Sequence, residues 1–157
     1  MKTIEERCID WGNERGLFDG DRINAWRAQF IKLLQEIHEL EDAFISGDLE
    51  EVMSEAGDCL FVLNNLRHIS EAHLKYSDNH SPSKKYALES ALTMKAPLDT
   101  INYYDKIVCK LWWKVFSSSR IEKDEIGLKG RKTLLEKTLA KNEKRKGKTI
   151  NNNFIKE

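Results

Sequence analysis

Helix-breaking residues are scarce in this chain, which has two prolines, Pro82 and Pro97, among 157 residues. Stretches that alternate apolar and polar residues are nearly absent as well, so an all-α fold is expected. Cysteine occurs three times, at Cys8, Cys59 and Cys109. The odd number, wide spacing and lack of any Cys-x-x-Cys pair argue against a disulfide framework and against a zinc knuckle. The glycines never gather into a phosphate-cradling loop, which argues against a P-loop enzyme. No apolar run approaches the roughly 20 residues that a membrane-spanning helix needs. The opening stretch "MKTIEERCIDWGNERG" has no apolar signal-peptide core, so a reduced, cytoplasmic chain is expected.

Apolar residues make up 40% of the chain and charged residues 33%, a balance that suits a soluble, helix-rich single domain spanning 1–157. The net charge is zero, yet its distribution is uneven. Residues 1–58 hold fifteen acids against six bases, whereas 131–148 holds eight Lys/Arg against Glu136 and Glu143. An acidic front and a basic back fit a site that takes a metal at one end and an anion at the other. They equally fit two solvated faces that happen to balance.

A short helix is expected over about 3–14, then the turn-rich "GLFDGD". Asp21 reads as the N-cap of a long helix in which Ile23, Trp26, Phe30, Leu33, Ile37, Leu40 and Phe44 form an apolar stripe. Gly47 ends it, and Asp48 with Glu51 opens the next helix, expected to reach about Tyr76. Further helices are expected over 83–95, 98–117 and 130–145, with breaks at "SDNHSPS" and "SSSRIEKDEIGLKG" and a polar, extended tail. The adjacent Trp112 and Trp113 must diverge on a helix, one packing inward and the other facing a partner subunit.

Acids recur beside the apolar stripes. At about 100° per residue, Glu36 falls to one side of Ile37, and Glu39 lies some 60° further round the same flank. On the next helix Glu55 falls inside the stripe of Val52, Cys59, Val62, Leu63 and Leu66. Asp58 lies at its edge, and Asn65, seven residues on, points the same way. Side chains three residues apart are neighbours on a helix, so two antiparallel helices bearing these pairs can bring four carboxylates together. Such a cluster is unfavourable alone, since like charges and burial both oppose ionisation. A divalent cation relieves it, and oxygen-only donors select Mg²⁺ or Mn²⁺. The competing reading makes the acids structural, with Lys32 answering Glu36 and Arg67 or His68 serving the second helix. A ferritin-like di-iron site is excluded, because no Glu is followed three residues later by His.

"KLLQEIHELEDAF" and "EAGDCLFVLNNL" together resemble the Glu-x-x-Glu … Glu-x-x-Asp signature of the MazG-like, all-α nucleoside triphosphate pyrophosphohydrolases. "IDWGNERGLFD" resembles the segment before the first metal helix in small, phage-type members, and "AKNEKRKGKTINNNFIKE" their closing stretch. The match covers roughly 4–69 and 134–157. Position 35 is Gln where many members carry a further Glu, and about 70–130 is longer than in compact members, as a helical insertion would be.

The resemblance implies an all-α bundle whose four-helix core is completed by oligomerisation into a homodimer or homotetramer. It implies hydrolysis of a (d)NTP to the monophosphate and pyrophosphate. Glu36, Glu39, Glu55 and Asp58 would hold Mg²⁺, with Mn²⁺ also accepted, and Glu36 or Glu39 would be the general base. Lys144, Arg145, Lys146 and Lys148 would meet the triphosphate, while Asn65 and Asn142 would bind sugar or phosphate. Trp11 is the ring on which a base would stack, whereas Trp26 falls in the apolar stripe and is expected in the core. Cytoplasmic location follows, in the host if a phage encodes the chain. Two alternatives stay open: a dUTP- or dCTP-selective diphosphatase of the same superfamily, and a non-catalytic helical module binding nucleic acid or protein. The brief basic run and zero net charge argue against nucleic acid, and nothing suggests a membrane partner.

Overall fold

A computed structural model describes residues 1–70, 83–117 and 128–157, and the side chains of these except 112–117 and 128–129. The expected continuation of the second long helix to Tyr76, both loop breaks, and the side chains of Trp112 and Trp113 lie outside the described residues. Within them the chain forms six helices and one two-stranded sheet, and no helix is long and apolar enough to cross a membrane.

Each early helix starts where a side chain can satisfy its free N–H groups. Helix α1 (Ile4–Glu14) opens with a reciprocal cap in which Thr3 accepts from the Glu6 amide and Glu6 accepts from the Thr3 amide. Helix α2 (Arg22–Ser46) is capped by Asp21 and stopped by Gly47, whose φ of 76° is the left-handed conformation that glycine adopts without a Cβ clash. Asp48 accepts from the amides of Glu50 and Glu51, starting α3 (Leu49–Ser70) at once and turning the chain back on itself. Helices α4 (Lys84–Thr93) and α5 (Pro97–Ser117) follow, with Pro97 in the first turn, where its missing N–H costs nothing. Helix α6 (Leu128–Glu143) is the last.

The centre of the molecule is α3, which packs on α1, α2, α5 and α6. Burial therefore extends beyond the expected stripe to Leu60, Phe61 and Ile69, so the second half of α3 is covered on nearly every side. On α2 the stripe from Trp26 to Leu40 is buried, but its expected ends are not: Ile23 is 43% exposed and Phe44 36%. In the stretch expected as an insertion, α5 contributes Ile101, Tyr104 and Val108 to the same core.

The tail is not simply extended. Strands β1 (Gly147–Ile150) and β2 (Asn153–Lys156) pair antiparallel, with Gly147 opposite Lys156 and Ile150 opposite Asn153. Between them Asn151 and Asn152 both have positive φ, 51° and 62°. That is the two-residue turn whose twist matches a hairpin, and asparagine tolerates it better than most residues. The turn is fastened to the helices, since Asn152 Nδ2 donates to the carbonyls of Leu17 (2.9 Å) and Asp19 (2.8 Å).

Candidate functional site

The tight α2–α3 connection sets Glu36 and Glu39 against Glu55, and one carboxylate oxygen from each lies within 4.8 Å of the others. Their environments differ. Glu36 is buried, Glu55 half-buried and Glu39 exposed. Helical spacing puts Glu36 on the flank of the α2 stripe, but the cover of the neighbouring elements leaves it only 5% exposed. Glu36 Oε1 is 2.5 Å from Lys32 Nζ, whereas Oε2 of both Glu36 and Glu55 is buried with no hydrogen-bond partner among the described residues. Burial, and then the charges of Asp58, Glu39 and Glu36, push the Glu55 carboxyl up to about 7.

Asp58 does not join this triad. Its carboxylate sits 2.8 Å from Lys141 Nζ, which also reaches Ser54 Oγ at 3.1 Å. Burial raises the Asp58 pKa, and the Lys141 hydrogen bond and charge pull against it. The cause lies one residue earlier. A Cβ on Gly57 would collide with Thr138 Oγ1 and stand 3.2 Å from the Leu134 carbonyl oxygen, so only glycine lets α6 lie this close to α3. Lys141, about a turn beyond Thr138, is thereby delivered to Asp58.

Beside the acids a cavity of about 300 Å³ opens between α2, α3, α6 and the hairpin. Glu36 and Asp58 supply its negative groups, and Lys32, Arg145 and Lys156 its positive ones. Trp11, Phe61 and Phe154 give it aromatic wall, and Gln29, Asn65 and Asn142 give it buried amides. The rings meet edge to face, with Trp11 5.6 Å from Phe61 and 5.2 Å from Phe154 between centroids. Such a lining can hold a small molecule that combines an anionic group with a flat, apolar one.

Among the residues expected in the site, Trp11, Asn65, Asn142 and Arg145 line this cavity together with Glu36 and Asp58. Arg145 Nη1 donates to Asn142 Oδ1 at 2.8 Å, which orients the guanidinium. Lys144, Lys146 and Lys148 are exposed and do not line the cavity. Trp11 is 6% exposed, and the Arg15 guanidinium covers its ring at 4.3 Å, so it is a wall rather than an open stacking surface. Trp26 is in the core, donating from Nε1 to Ser70 Oγ at 3.0 Å. Of the partners proposed for the second helix, Arg67 instead pairs with Asp105, and His68 packs against Phe18.

Lys141, Gln29, Phe61, Phe154 and Lys156 were not singled out as site residues. Helical spacing carries part of the signal: Gln29, Lys32 and Glu36 recur at three and four residues, as do Asp58, Phe61 and Asn65. No comparable pattern links Lys141 or Phe154 to the acids, because they arrive from elements far along the chain. No protein-family model, curated protein or solved structure matches this chain.

Proposed function

We propose that this protein is a Mg²⁺-dependent nucleoside triphosphate pyrophosphohydrolase of the MazG-like kind, converting a (d)NTP to the monophosphate and pyrophosphate. The observation that supports this reading is the convergence of Glu36, Glu39 and Glu55, with Glu36 shared between that triad and a cavity that also carries Arg145. Two buried carboxylate oxygens without partners, among three mutually repelling acids, suit a hard divalent ion. Glu36, Glu39 and Glu55 would hold Mg²⁺ or Mn²⁺, and Asp58 would join them where its pair with Lys141 opens. Bound there, the ion would neutralise phosphate oxygens and acidify a water molecule.

The chain's own groups do the rest. Arg145, steadied by Asn142, offers a planar fork of donors to phosphate oxygens, and Lys156 adds a second cation. Glu36 is tied to Lys32, whereas Glu39 is exposed and has no ion pair among the described residues. Glu39 would therefore be the general base, taking a proton from an attacking water rather than serving as a full ligand of the ion. The rings of Trp11, Phe61 and Phe154 exclude solvent from the far end, which strengthens every charge interaction inside.

The pairs Lys32–Glu36 and Lys141–Asp58 favour a second reading, in which the acids are structural and the protein is a non-catalytic helical module. Incubating the pure protein with each (d)NTP and Mg²⁺ separates the two. Monophosphate plus pyrophosphate, lost in Glu55→Gln, supports hydrolysis, and a single favoured base would mark the selective diphosphatase. Orthophosphate with a diphosphate, or inactivity toward every nucleotide, would overturn the proposal. The same reading expects a homodimer or homotetramer in the cytoplasm. Ile31, Leu34 and Ile45, exposed at 57%, 37% and 81%, share one outward face of α2 and offer apolar surface for a second copy.

A further inference from the structure

A chain of amides runs from the hairpin turn to the cavity and decides which atom of Asn65 is left over. The Asn152 backbone carbonyl can only accept, so Gln29 meets it with its amide nitrogen, at 3.2 Å. Gln29 Oε1 is then an acceptor, and Asn65 Nδ2 fills it at 3.0 Å. Asn65, 1% exposed, is left with Oδ1, which has no hydrogen-bond partner among the described residues. Because the series starts from a main-chain carbonyl, neither side-chain amide can turn over without losing a bond. The turn itself is pinned by the two bonds that Asn152 Nδ2 makes to Leu17 and Asp19. Asn65, one of the residues that line the cavity, thus carries a buried acceptor of fixed sense.

Asn65 follows Asp58 by seven residues on α3, on the same face and about 10 Å further along the axis at 1.5 Å per residue. Phe61 and Val62 line the cavity between them. That separation is close to the reach from a nucleotide's phosphate to the far edge of its base. We infer that Asn65 reads the nucleobase, its Oδ1 accepting a hydrogen bond from an N–H on the base edge. The phosphates then lie toward Glu36, Asp58 and Arg145. This inference rests on the pyrophosphohydrolase reading and replaces the sugar or phosphate contact expected of Asn65 with a base contact. A base that offers N–H satisfies the acceptor. One that offers a methyl group or a second acceptor leaves it bare, a difference of roughly 10- to 100-fold in kcat/KM.

The test measures pyrophosphate release from the four dNTPs and from counterparts methylated at the pairing-edge nitrogen, N,N-dimethylated for dATP and dCTP. Wild type, Asn65→Leu and Gln29→Met are compared at fixed Mg²⁺. Methylation should lower kcat/KM of the preferred nucleotide about 10- to 100-fold in wild type and have no such effect in Asn65→Leu. Gln29→Met frees the Asn65 amide to turn, and the methylation penalty should shrink there too. A purely structural role would slow parent and methylated nucleotides alike, so an equal penalty in wild type and both variants overturns the inference while leaving the hydrolase reading intact. Absence of any penalty in an active wild type does the same. A wild type that cleaves no nucleotide sinks both.

Discussion

Lys141, near the end of α6, places its ammonium nitrogen 2.8 Å from Asp58 in the middle of α3, a pairing across 83 positions of sequence. Both groups are largely shielded, with side chains 33% and 15% exposed. The pair links the last helix to the acid-bearing one and holds Asp58 apart from the triad beside it.

Removing the lysine should leave that carboxylate uncompensated. Lys141→Met is expected to cost about 1–3 kcal/mol without divalent ions, or roughly 3–10 °C in Tm. Added Mg²⁺ should then stabilise the variant more than wild type, because Asp58 becomes available to the ion. Thermal melts with chelator and with millimolar Mg²⁺ check both parts, and an equal Mg²⁺ shift in the two proteins would count against the link.

Glu55 gives the metal-free protein a pH dependence. Its carboxyl is raised to about 7 in the fold, above the ordinary carboxylate range, so the native state holds a proton that the unfolded chain has released. Stability from this group is full at pH below about 4 and is lost as pH climbs through 7. In chelator, Tm is expected to fall between pH 5 and pH 8, and Glu55→Gln should flatten that decline and melt higher than wild type at pH 8. A Tm series across this range is the measurement, and a Glu55→Gln curve parallel to wild type would contradict it.

Gly57 tests the close approach of α3 and α6. In Gly57→Ala the new Cβ meets Thr138 Oγ1 and the Leu134 carbonyl, and a helix backbone has little room to yield. Overpacking of this kind costs on the order of 1–3 kcal/mol, although alanine favours a helix by up to about 1 kcal/mol over glycine. Urea unfolding should show a lowered midpoint, and the double variant Gly57→Ala, Thr138→Ser should recover nothing, since the clashing oxygen remains. Gly57→Ala, Thr138→Ala should recover part of the loss.

Asn152 holds the hairpin to the helices through two side-chain bonds and one backbone acceptor. Asn152→Gly keeps the left-handed turn available and removes only the side-chain bonds. Amides of 153–156 should exchange at least tenfold faster with solvent, while α3 amides change little, because local opening and global unfolding are separate events. Exchange measured by mass spectrometry on tail peptides decides this, and uniform loss of protection over the whole chain would show the turn to be part of the global fold.

The caps at Asp21, Gly47 and Asp48 were readable because each acts on backbone groups within three or four residues. The meeting of Glu36 with Glu39 and Glu55 was readable for a related reason, since one short turn fixes how α2 returns as α3. The hairpin was hidden by its polarity. Only "NN" at Asn151 and Asn152 marked it, as the strands are four residues each and have no clear apolar alternation. Ile23 and Phe44 fit the periodic pattern but lie where no neighbouring element covers them. The pairing of Asp58 with Lys141 was not readable, because periodicity on one helix says nothing about cations on another.

By itself, then, the sequence determined the helices around the acids and which carboxylates share a face, because those follow from hydrogen bonds and spacing along a single segment. Tertiary structure alone decided that Lys141 takes Asp58 and that the tail closes the cavity. It also decided that Asn65 is left with a bare acceptor. Each of these depends on groups many tens of residues apart, brought together by the packing of α6 and the hairpin on α2 and α3.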